Sequence, residues 1–262
     1  MVSRFALVVA AAASILVLGD APSSRAAPSS DIFGITGLGS GANESWVLAP
    51  GGARSIVVFL HERGHPIPQK YLGWLDHLAA EDSAVVFPRY ESAATRTPEQ
   101  ILRAVRTAVT TAERHLAALP VTGFGGGPIK GVPVIIVGYS YGATLAFYVA
   151  ANSARWGLPS PKAVVSIFPR PGRFPGITLR PLARSTRVVL QTGDADTASG
   201  KSAASDLWRA IERHPASRKR LVTVHSVGGF RADHGAPLRV TSAALNAFWE
   251  PVDQVIYDVR GG

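Results

Sequence analysis

The stretch that decides the fold is Val134-Ile-Ile-Val-Gly138-Tyr-Ser140-Tyr-Gly142-Ala-Thr-Leu-Ala146. An apolar, β-branched run ends at Gly138, and a helical pattern of small residues begins after Ser140. Gly-x-Ser-x-Gly at a strand-to-helix junction is typical of a nucleophile elbow, a sharp turn that presents the serine hydroxyl above a helix N-terminus. The turn leaves no room for side chains two residues before and after the serine, so glycine is required at both places. A plain strand–turn–helix with an incidental serine is the alternative.

Strand-like and helix-like segments alternate along the rest of the chain. Short apolar runs at 44–48, 53–60, 84–88, 134–138, 162–168, 186–192 and 221–227 predict strands. Apolar residues at helical spacing occur at 71–80, after the capping sequence Thr97-Pro-Glu-Gln100, at 202–213 and at 240–249. This alternation predicts the α/β class, with one domain built on a mainly parallel central sheet that carries helices on both faces.

The composition limits the chemistry that the chain can perform. It has 262 residues, no cysteine and a formal net charge of +9. Without cysteine there are no disulfides, thiolate metal sites or cysteine nucleophile. The densest basic cluster, Arg218 to Arg220, is not interleaved with aromatic residues, so a basic surface is expected and nucleic-acid binding is not. No cofactor is predicted, because Gly37-Leu-Gly-Ser-Gly41 neither follows a strand nor opens a helix as a dinucleotide-binding loop would.

The first 26 residues predict a secretory signal peptide. Met1 to Arg4 carries a positive charge, an apolar run covers 5–18, and small-x-small sites place the cleavage after Ala21 or Ala26. Because the apolar run is short for a membrane span, no stable membrane insertion is expected after cleavage. The sequence therefore predicts an exported protein, with a flexible segment at 27–43 and a single domain at 44–262. The oligomeric state is left open.

A second motif, His61-Glu-Arg-Gly-His65, matches the His-Glu-x-x-His pattern of zinc metallopeptidases. In that pattern a helix places both histidines on one side of the metal. Here a predicted strand leads into His61, and Pro66 disfavours helical geometry at the residue before it. A loop after a strand is therefore the preferred interpretation, with the zinc peptidase as an alternative.

Two aspartates and two histidines are candidates to activate the serine. A serine nucleophile needs a histidine to accept its proton and a carboxylate to orient that histidine, and in parallel sheets such groups follow the carboxyl ends of strands. Asp194 and Asp196 follow the strand at 186–192, and Asp196 is preferred as the acid while Asp194 is expected to cap the turn. His234, in the loop after the last strand, is preferred as the base over His225, which is expected to be a packed or hydrogen-bonded core group.

A negatively charged intermediate on this serine would need two backbone N–H donors. One is expected from Tyr141, the residue after the nucleophile and the first of a helix. The other is expected from the loop that follows Leu60, either from Glu62 or from Arg63. The loop at His61 therefore has an expected role that needs no metal.

Taken together, these segments resemble the α/β-hydrolase superfamily, and within it the lidless branch of dienelactone hydrolase-like, chlorophyllase-like and polyester hydrolase-like enzymes. The resemblance covers residues 53–249 and is carried by Phe59-Leu-His61-x-x-Gly64, the segment 71–78 with Phe87-Pro-Arg-Tyr90, Gly138-Tyr-Ser-Tyr-Gly142, Gly193-Asp-Ala-Asp196 and Asp233-His234. It implies Ser140 as nucleophile, Asp196 as acid and His234 as base, with Arg63 and Tyr141 as oxyanion donors.

The segment between Phe168 and Thr186 is too short for a cap domain, so the site is expected to be open. Its expected lining is Tyr139, Tyr141, Phe168 and Phe230. One departure from the branch concerns Glu62, since members commonly have His-Gly where this chain has His61-Glu62. A carboxylate beside an oxyanion hole opposes the developing charge unless it points away or pairs with an arginine.

The leading functional hypothesis is a secreted serine hydrolase that cleaves small-molecule or polymeric carboxylic esters through an acyl-enzyme. An acyltransferase or a peptidase would use the same residues. A catalytically inactive binding protein of the same fold is a hypothesis from a different class, and the zinc peptidase is a third.

Overall fold

The computed structural model describes residues 34–91, 97–121, 127–171, 179–199 and 202–261, together with the backbone of a short strand at 13–15. These residues form a nine-stranded sheet, of which eight strands come from residue 35 onward. The strands are β1 (Ala13–Ile15), β2 (Ile35–Leu38), β3 (Ser45–Leu48), β4 (Ser55–Leu60), β5 (Ser83–Pro88), β6 (Val134–Tyr139), β7 (Ala163–Ile167), β8 (Arg187–Gly193) and β9 (Lys219–Val224).

Helices connect most of these strands. They are α1 (Leu72–Ala80), α2 (Pro98–Ala117), α3 (Tyr141–Asn152), α4 (Ser202–Ala210), α5 (Ser242–Ala244) and α6 (Glu250–Val259), with a π-helical turn at Leu245–Trp249 that joins α5 to α6. Each helix in this described part of the chain is too short or too polar to cross a membrane.

The strand order is β1-β9-β8-β7-β6-β4-β5-β3-β2. Neighbours are parallel except at one edge, where β3 runs antiparallel to both β2 and β5. The predicted α/β fold with a mainly parallel sheet is therefore confirmed. Because the parallel strands run in one direction, their carboxyl ends lie on the same side of the sheet, and the loops after β4, β6, β7, β8 and β9 meet there.

The alternation of side chains along the central strands creates two cores. In β6, Ile135, Val137 and Tyr139 pack with α1, α5 and α6, whereas Val134 and Ile136 pack with α2, α3 and α4. Strands β4, β5, β6 and β7 are buried along their whole length, as expected for strands covered on both faces. The helices on both faces that the sequence predicts are therefore present.

The sheet begins earlier in the chain than the sequence indicated. Strand β2 lies within the segment predicted to be flexible at 27–43, and it pairs with β3 from Ile35 to Leu38. Residues 27–33 lie outside the described residues. So does nearly all of the predicted signal peptide, whose residues 13–15 form β1 beside β9. The absence of a cap also remains a prediction, because residues 172–178 of the β7–β8 connection are outside the described ranges.

Candidate active site

The nucleophile elbow lies at the junction of β6 and α3. Ser140 has φ 58° and ψ −117°, a strained conformation for a residue with a side chain, and the end of β7 with the segment after it holds the residue there. Its N–H donates to the Ile167 carbonyl at 2.9 Å, and its carbonyl accepts from the Arg170 N–H at 3.1 Å. A side chain at Gly138 would overlap the Gly142 carbonyl, so the glycine is required at this close approach.

The structure brings together the three residues that the sequence selected. His234 Nε2 lies 3.0 Å from the Ser140 hydroxyl oxygen, and its Nδ1 lies 3.2 Å from the Asp196 carboxylate. Burial would raise the pKa of Asp196, but hydrogen bonds from His234 and Ser199 outweigh burial and lower it. The carboxylate is thus ionised and accepts only, so Nδ1 carries the proton and Nε2 accepts from the Ser140 hydroxyl. This is the arrangement that makes a serine nucleophilic.

Ser199 is a fourth member of the group that the sequence analysis missed. Its hydroxyl lies 3.1 Å from His234 Nδ1 and donates to the Phe168 carbonyl at 2.9 Å, so it can only accept from the histidine. Its backbone N–H and that of Ala198 donate to the Asp196 carboxylate at 3.1 and 2.9 Å. The available signal was the spacing Asp-x-x-Ser, because aspartate commonly accepts from backbone groups two and three residues later.

Asp194 has a different role from Asp196. Its carboxylate accepts from the Ser226 N–H at 2.9 Å and from the Ser226 hydroxyl at 2.6 Å, which lowers its pKa. The Ser226 hydroxyl in turn accepts from the Ala232 N–H at 3.0 Å. Asp194 therefore fastens the loop that carries the histidine. The expectation for His225 is wrong, since it follows β9, and its side chain is 44% exposed and 3.5 Å from Asp194.

The loop that carries His234 is held on several sides. The Tyr139 hydroxyl donates to the His234 carbonyl, and Asp233 forms a two-bond ion pair with Arg239 at 2.8 Å. A side chain at Gly193 would overlap the Ala232 carbonyl and lie 2.7 Å from the Phe168 ring, so this glycine permits the loop to approach β8.

Two of the residues predicted to line the substrate site do not reach solvent. Tyr139 is 1% exposed and Phe168 is 0% exposed, and their rings stack on His234 at centroid distances of 5.2 and 6.0 Å. Their prediction as lining residues is corrected: they support the imidazole from behind. Phe230 is half-buried against Phe248, and Tyr141 is 9% exposed with the Arg63 guanidinium 6.0 Å from its ring.

The loop after β4 approaches the start of α3. A side chain at Gly142 would overlap the carbonyl oxygens of Leu60 and His61, which shows how closely the two backbones pack. In this loop the Glu62 N–H donates to the Tyr71 hydroxyl at 3.2 Å, and the Gly64 N–H donates to the Glu91 carboxylate at 2.5 Å. Among the described residues none accepts from the N–H of Arg63, so between the two predicted donors the geometry favours Arg63.

His61 is wholly buried in this loop. It stacks on Tyr90 at 3.9 Å with an interplanar angle of 3°, and Nδ1 donates to the Glu62 carbonyl at 2.6 Å. Burial lowers its pKa to about 3, so the ring is neutral. Residues 61–66 form a loop in which Gly64 has φ 83°, so the helix on which the His-Glu-x-x-His metal geometry depends is not formed there.

The buried His61 predicts a pH-dependent stability. In the unfolded chain His61 takes up a proton near pH 6.5, whereas in the folded chain it does so only near pH 3. The free energy of unfolding therefore decreases as the pH falls below 6.5. His61→Phe keeps a flat ring on Tyr90 and cannot be protonated. Between pH 7.5 and 5, the free energy of unfolding of the wild type should fall by about 2 kcal/mol more than that of the variant. Urea unfolding at both pH values measures this, and equal losses would contradict it.

Comparisons with known proteins agree with the fold. Neither the protein-family models nor the curated proteins give a match. Among solved structures, MGS-M1, an α/β-hydrolase enzyme from a Medee basin deep-sea metagenome library, is 13% identical over 88% of this chain and 99% of its own, with a TM-score of 0.63. The chain has the α/β-hydrolase fold.

Two further structures are similar in the same way. Carboxyl esterase 2 from the mycorrhizal fungus Tuber melanosporum is 16% identical over 89% of this chain and 88% of its own, with a TM-score of 0.61. A soluble variant of monoglyceride lipase from Saccharomyces cerevisiae is 11% identical over 91% and 98%, with a TM-score of 0.61. At these identities the likeness concerns the fold, and the lidless branch stays a prediction. The activity is argued from the site.

Proposed function

We propose that this protein is a serine hydrolase that cleaves carboxylic esters through an acyl-enzyme, and that it is exported from the cell by its N-terminal segment. The observation that carries the proposal is the continuous hydrogen-bond path from Ser140 through His234 to Asp196, at 3.0 and 3.2 Å, on a strained elbow. A carboxylate, an imidazole and a hydroxyl in this order are the parts that acyl transfer requires.

In the proposed reaction the Ser140 oxygen attacks the ester carbonyl carbon while His234 Nε2 takes the hydroxyl proton. The carbonyl oxygen becomes negatively charged and receives hydrogen bonds from the backbone N–H groups of Tyr141 and Arg63. The intermediate collapses as the histidine gives the proton to the departing alcohol, which leaves an acyl-serine. Water, deprotonated by the same nitrogen, then releases the acid and restores the enzyme.

The test is hydrolysis of p-nitrophenyl acetate and butyrate, with and without a chelator, combined with labelling by a p-nitrophenyl phosphonate. We expect turnover that the chelator leaves unchanged, and a covalent phosphonyl adduct that peptide mapping locates on Ser140 and that Ser140→Ala lacks. No turnover on either ester would overturn the proposal and favour an inactive binding protein. Turnover that the chelator abolishes and Ser140→Ala retains would favour the zinc peptidase.

The assignment of the acid predicts a clear difference between two neighbouring aspartates. Asp196→Asn replaces the acceptor of the Nδ1 proton and should lower kcat by roughly 10³- to 10⁴-fold. Asp194→Asn weakens the bonds to Ser226 and the contact with His225, none of which involves Ser140 or His234, so kcat should fall by less than about tenfold while Tm decreases. Steady-state kinetics and thermal unfolding of both variants check this. The reverse order of the two kcat losses would reassign the acid to Asp194.

A further inference from the structure

A partly buried ion pair joins Glu62, the residue before Arg63, to Lys70, whose side chain is 39% exposed. The Glu62 side chain is 12% exposed, and its carboxylate lies 2.5 Å from the Lys70 ammonium. Lys70 belongs to a short 3₁₀ turn, Pro68–Tyr71, and the next residue in that turn accepts the Glu62 N–H through the Tyr71 hydroxyl. Two adjacent residues of one turn thus hold both the backbone and the side chain of Glu62.

The Glu62 carboxylate affects the hydroxyl of Tyr139, the residue before the nucleophile. Burial first, and the Glu62 carboxylate second, raise the pKa of the Tyr139 hydroxyl above its usual range, and the same two causes act on Tyr71. Tyr139 directly precedes Ser140, and its hydroxyl donates to the His234 carbonyl. The geometry agrees, because Glu62 follows His61, whose carbonyl oxygen a side chain at Gly142 would overlap, and Gly142 lies two residues after Ser140 at the start of α3. The Glu62 carboxylate therefore belongs to the loop that packs against the turn carrying Ser140.

The neighbouring arginine does not neutralise this carboxylate. Arg63 is directed toward Glu91, with its Nε 3.9 Å from that carboxylate, and its side chain is 79% exposed. Among the residues that the structure describes, the cationic side chain within 4 Å of the Glu62 carboxylate is that of Lys70. An unpaired carboxylate in a half-buried position repels a second negative charge more strongly than it would in water, because the surroundings screen less.

We propose that Lys70 is a positioning residue for ester hydrolysis, which cancels the Glu62 charge and clamps the Glu62–Arg63 backbone so that an oxyanion can form at Ser140 without repulsion. The inference rests on the proposed function and adds to it a residue that touches neither the substrate nor the three catalytic side chains. It also explains how a glutamate is tolerated where a glycine is expected: the partner is a lysine eight residues later along the chain, not the arginine beside it.

The experiment compares Lys70→Met, Lys70→Arg, Glu62→Gln and the double variant Lys70→Met/Glu62→Gln, with p-nitrophenyl butyrate as substrate. Lys130→Met is the matched control, because Lys130 is an exposed lysine before β6, at the opposite edge of the sheet from Ser140. Thermal unfolding of each variant accompanies the kinetics, so that loss of fold is separated from loss of rate.

We expect Lys70→Met to lower kcat by roughly ten- to hundredfold with little change in KM, since the repulsion acts on the transition state. Lys70→Arg should keep most of the rate, and removing the Glu62 charge in the double variant should return kcat to within about threefold of Glu62→Gln alone. Lys130→Met should equal the wild type.

Three results would overturn the inference. Lys70→Met could turn over as fast as the wild type, or the double variant could be as slow as Lys70→Met. In either case the wild type still hydrolyses the ester through Ser140, so the proposed function stands and only the role of Lys70 is lost. Absence of any Ser140-dependent turnover in the wild type would overturn the function and this inference together.

Discussion

Replacing Ser140 or His234 with alanine should each lower kcat for ester hydrolysis by roughly 10⁵-fold, and replacing both should lower it no further. The reason is geometric: the hydroxyl and Nε2 are 3.0 Å apart and act as one unit, so either loss removes the activated nucleophile. The residual rate should come from the oxyanion donors and from substrate binding. Steady-state kinetics of the two single variants and the double variant, with folding verified by circular dichroism, measure the three values.

His225→Ala is the control for this experiment. His225 also follows β9, but its side chain faces Asp194 and solvent. The kcat of the His225→Ala variant should therefore stay within a few-fold of the wild-type value. Multiplicative losses for Ser140→Ala and His234→Ala would show that the two residues act independently. A large loss in His225→Ala with an active His234→Ala would transfer the role of base to His225.

Much of the fold could be predicted because the central strands are apolar on both faces. Strands β4 to β8 stand out as short β-branched runs, and the capping box that opens α2 has both its hydrogen bonds, from Thr97 and Gln100. Strand β2 was missed because its residues Ile35, Thr36 and Gly37 are exposed, so no burial pattern marks it. It is defined by its antiparallel pairing with β3, which becomes visible only in the folded structure.

The core of the site could be predicted for a similar reason. Chain order and strand ends place the serine, acid and base without any knowledge of side-chain contacts. The burial of Tyr139 was also available, because it alternates with Ile135 and Val137 and therefore points into the same core. Phe168 gave no such signal, since its φ of 51° is rare for a phenylalanine and turns its ring inward behind the histidine.

The partner of Glu62 could not be predicted, since neither the loop after β4 nor the turn at Pro68–Tyr71 has a periodic pattern. Which cation reaches the carboxylate depends on how the chain folds back between the two segments. From the sequence, Glu62 was expected to point away or to pair with an arginine, whereas the side chain of the adjacent Arg63 extends toward Glu91 and the partner of Glu62 is Lys70. A contact between two irregular segments can be identified only from the three-dimensional structure.

The second large effect is expected on stability, from Gly142→Ala. Helix propensity alone predicts a gain of up to about 1 kcal/mol, because Gly142 lies in the first turn of α3 and alanine is the better helix former. The close approach predicts the opposite, since the added methyl group would overlap the Leu60 and His61 carbonyl oxygens. These are backbone atoms at the end of β4, which pairs with β6 at Leu60 and Gly138, so they cannot rotate away as a side chain would.

The steric term should therefore exceed the propensity term, and Gly142→Ala should lose at least about 3 kcal/mol of unfolding free energy or fail to fold. Gly229→Ala is the matched control, because a methyl group there meets no atom within 4 Å, and its stability should change by less than about 0.5 kcal/mol. Urea unfolding of both variants against the wild type decides between the two terms. A Gly142→Ala variant as stable as the wild type would mean that the loop after β4 does not pack on α3 as closely as described, and the proposed role of the Arg63 N–H as an oxyanion donor would lose its support.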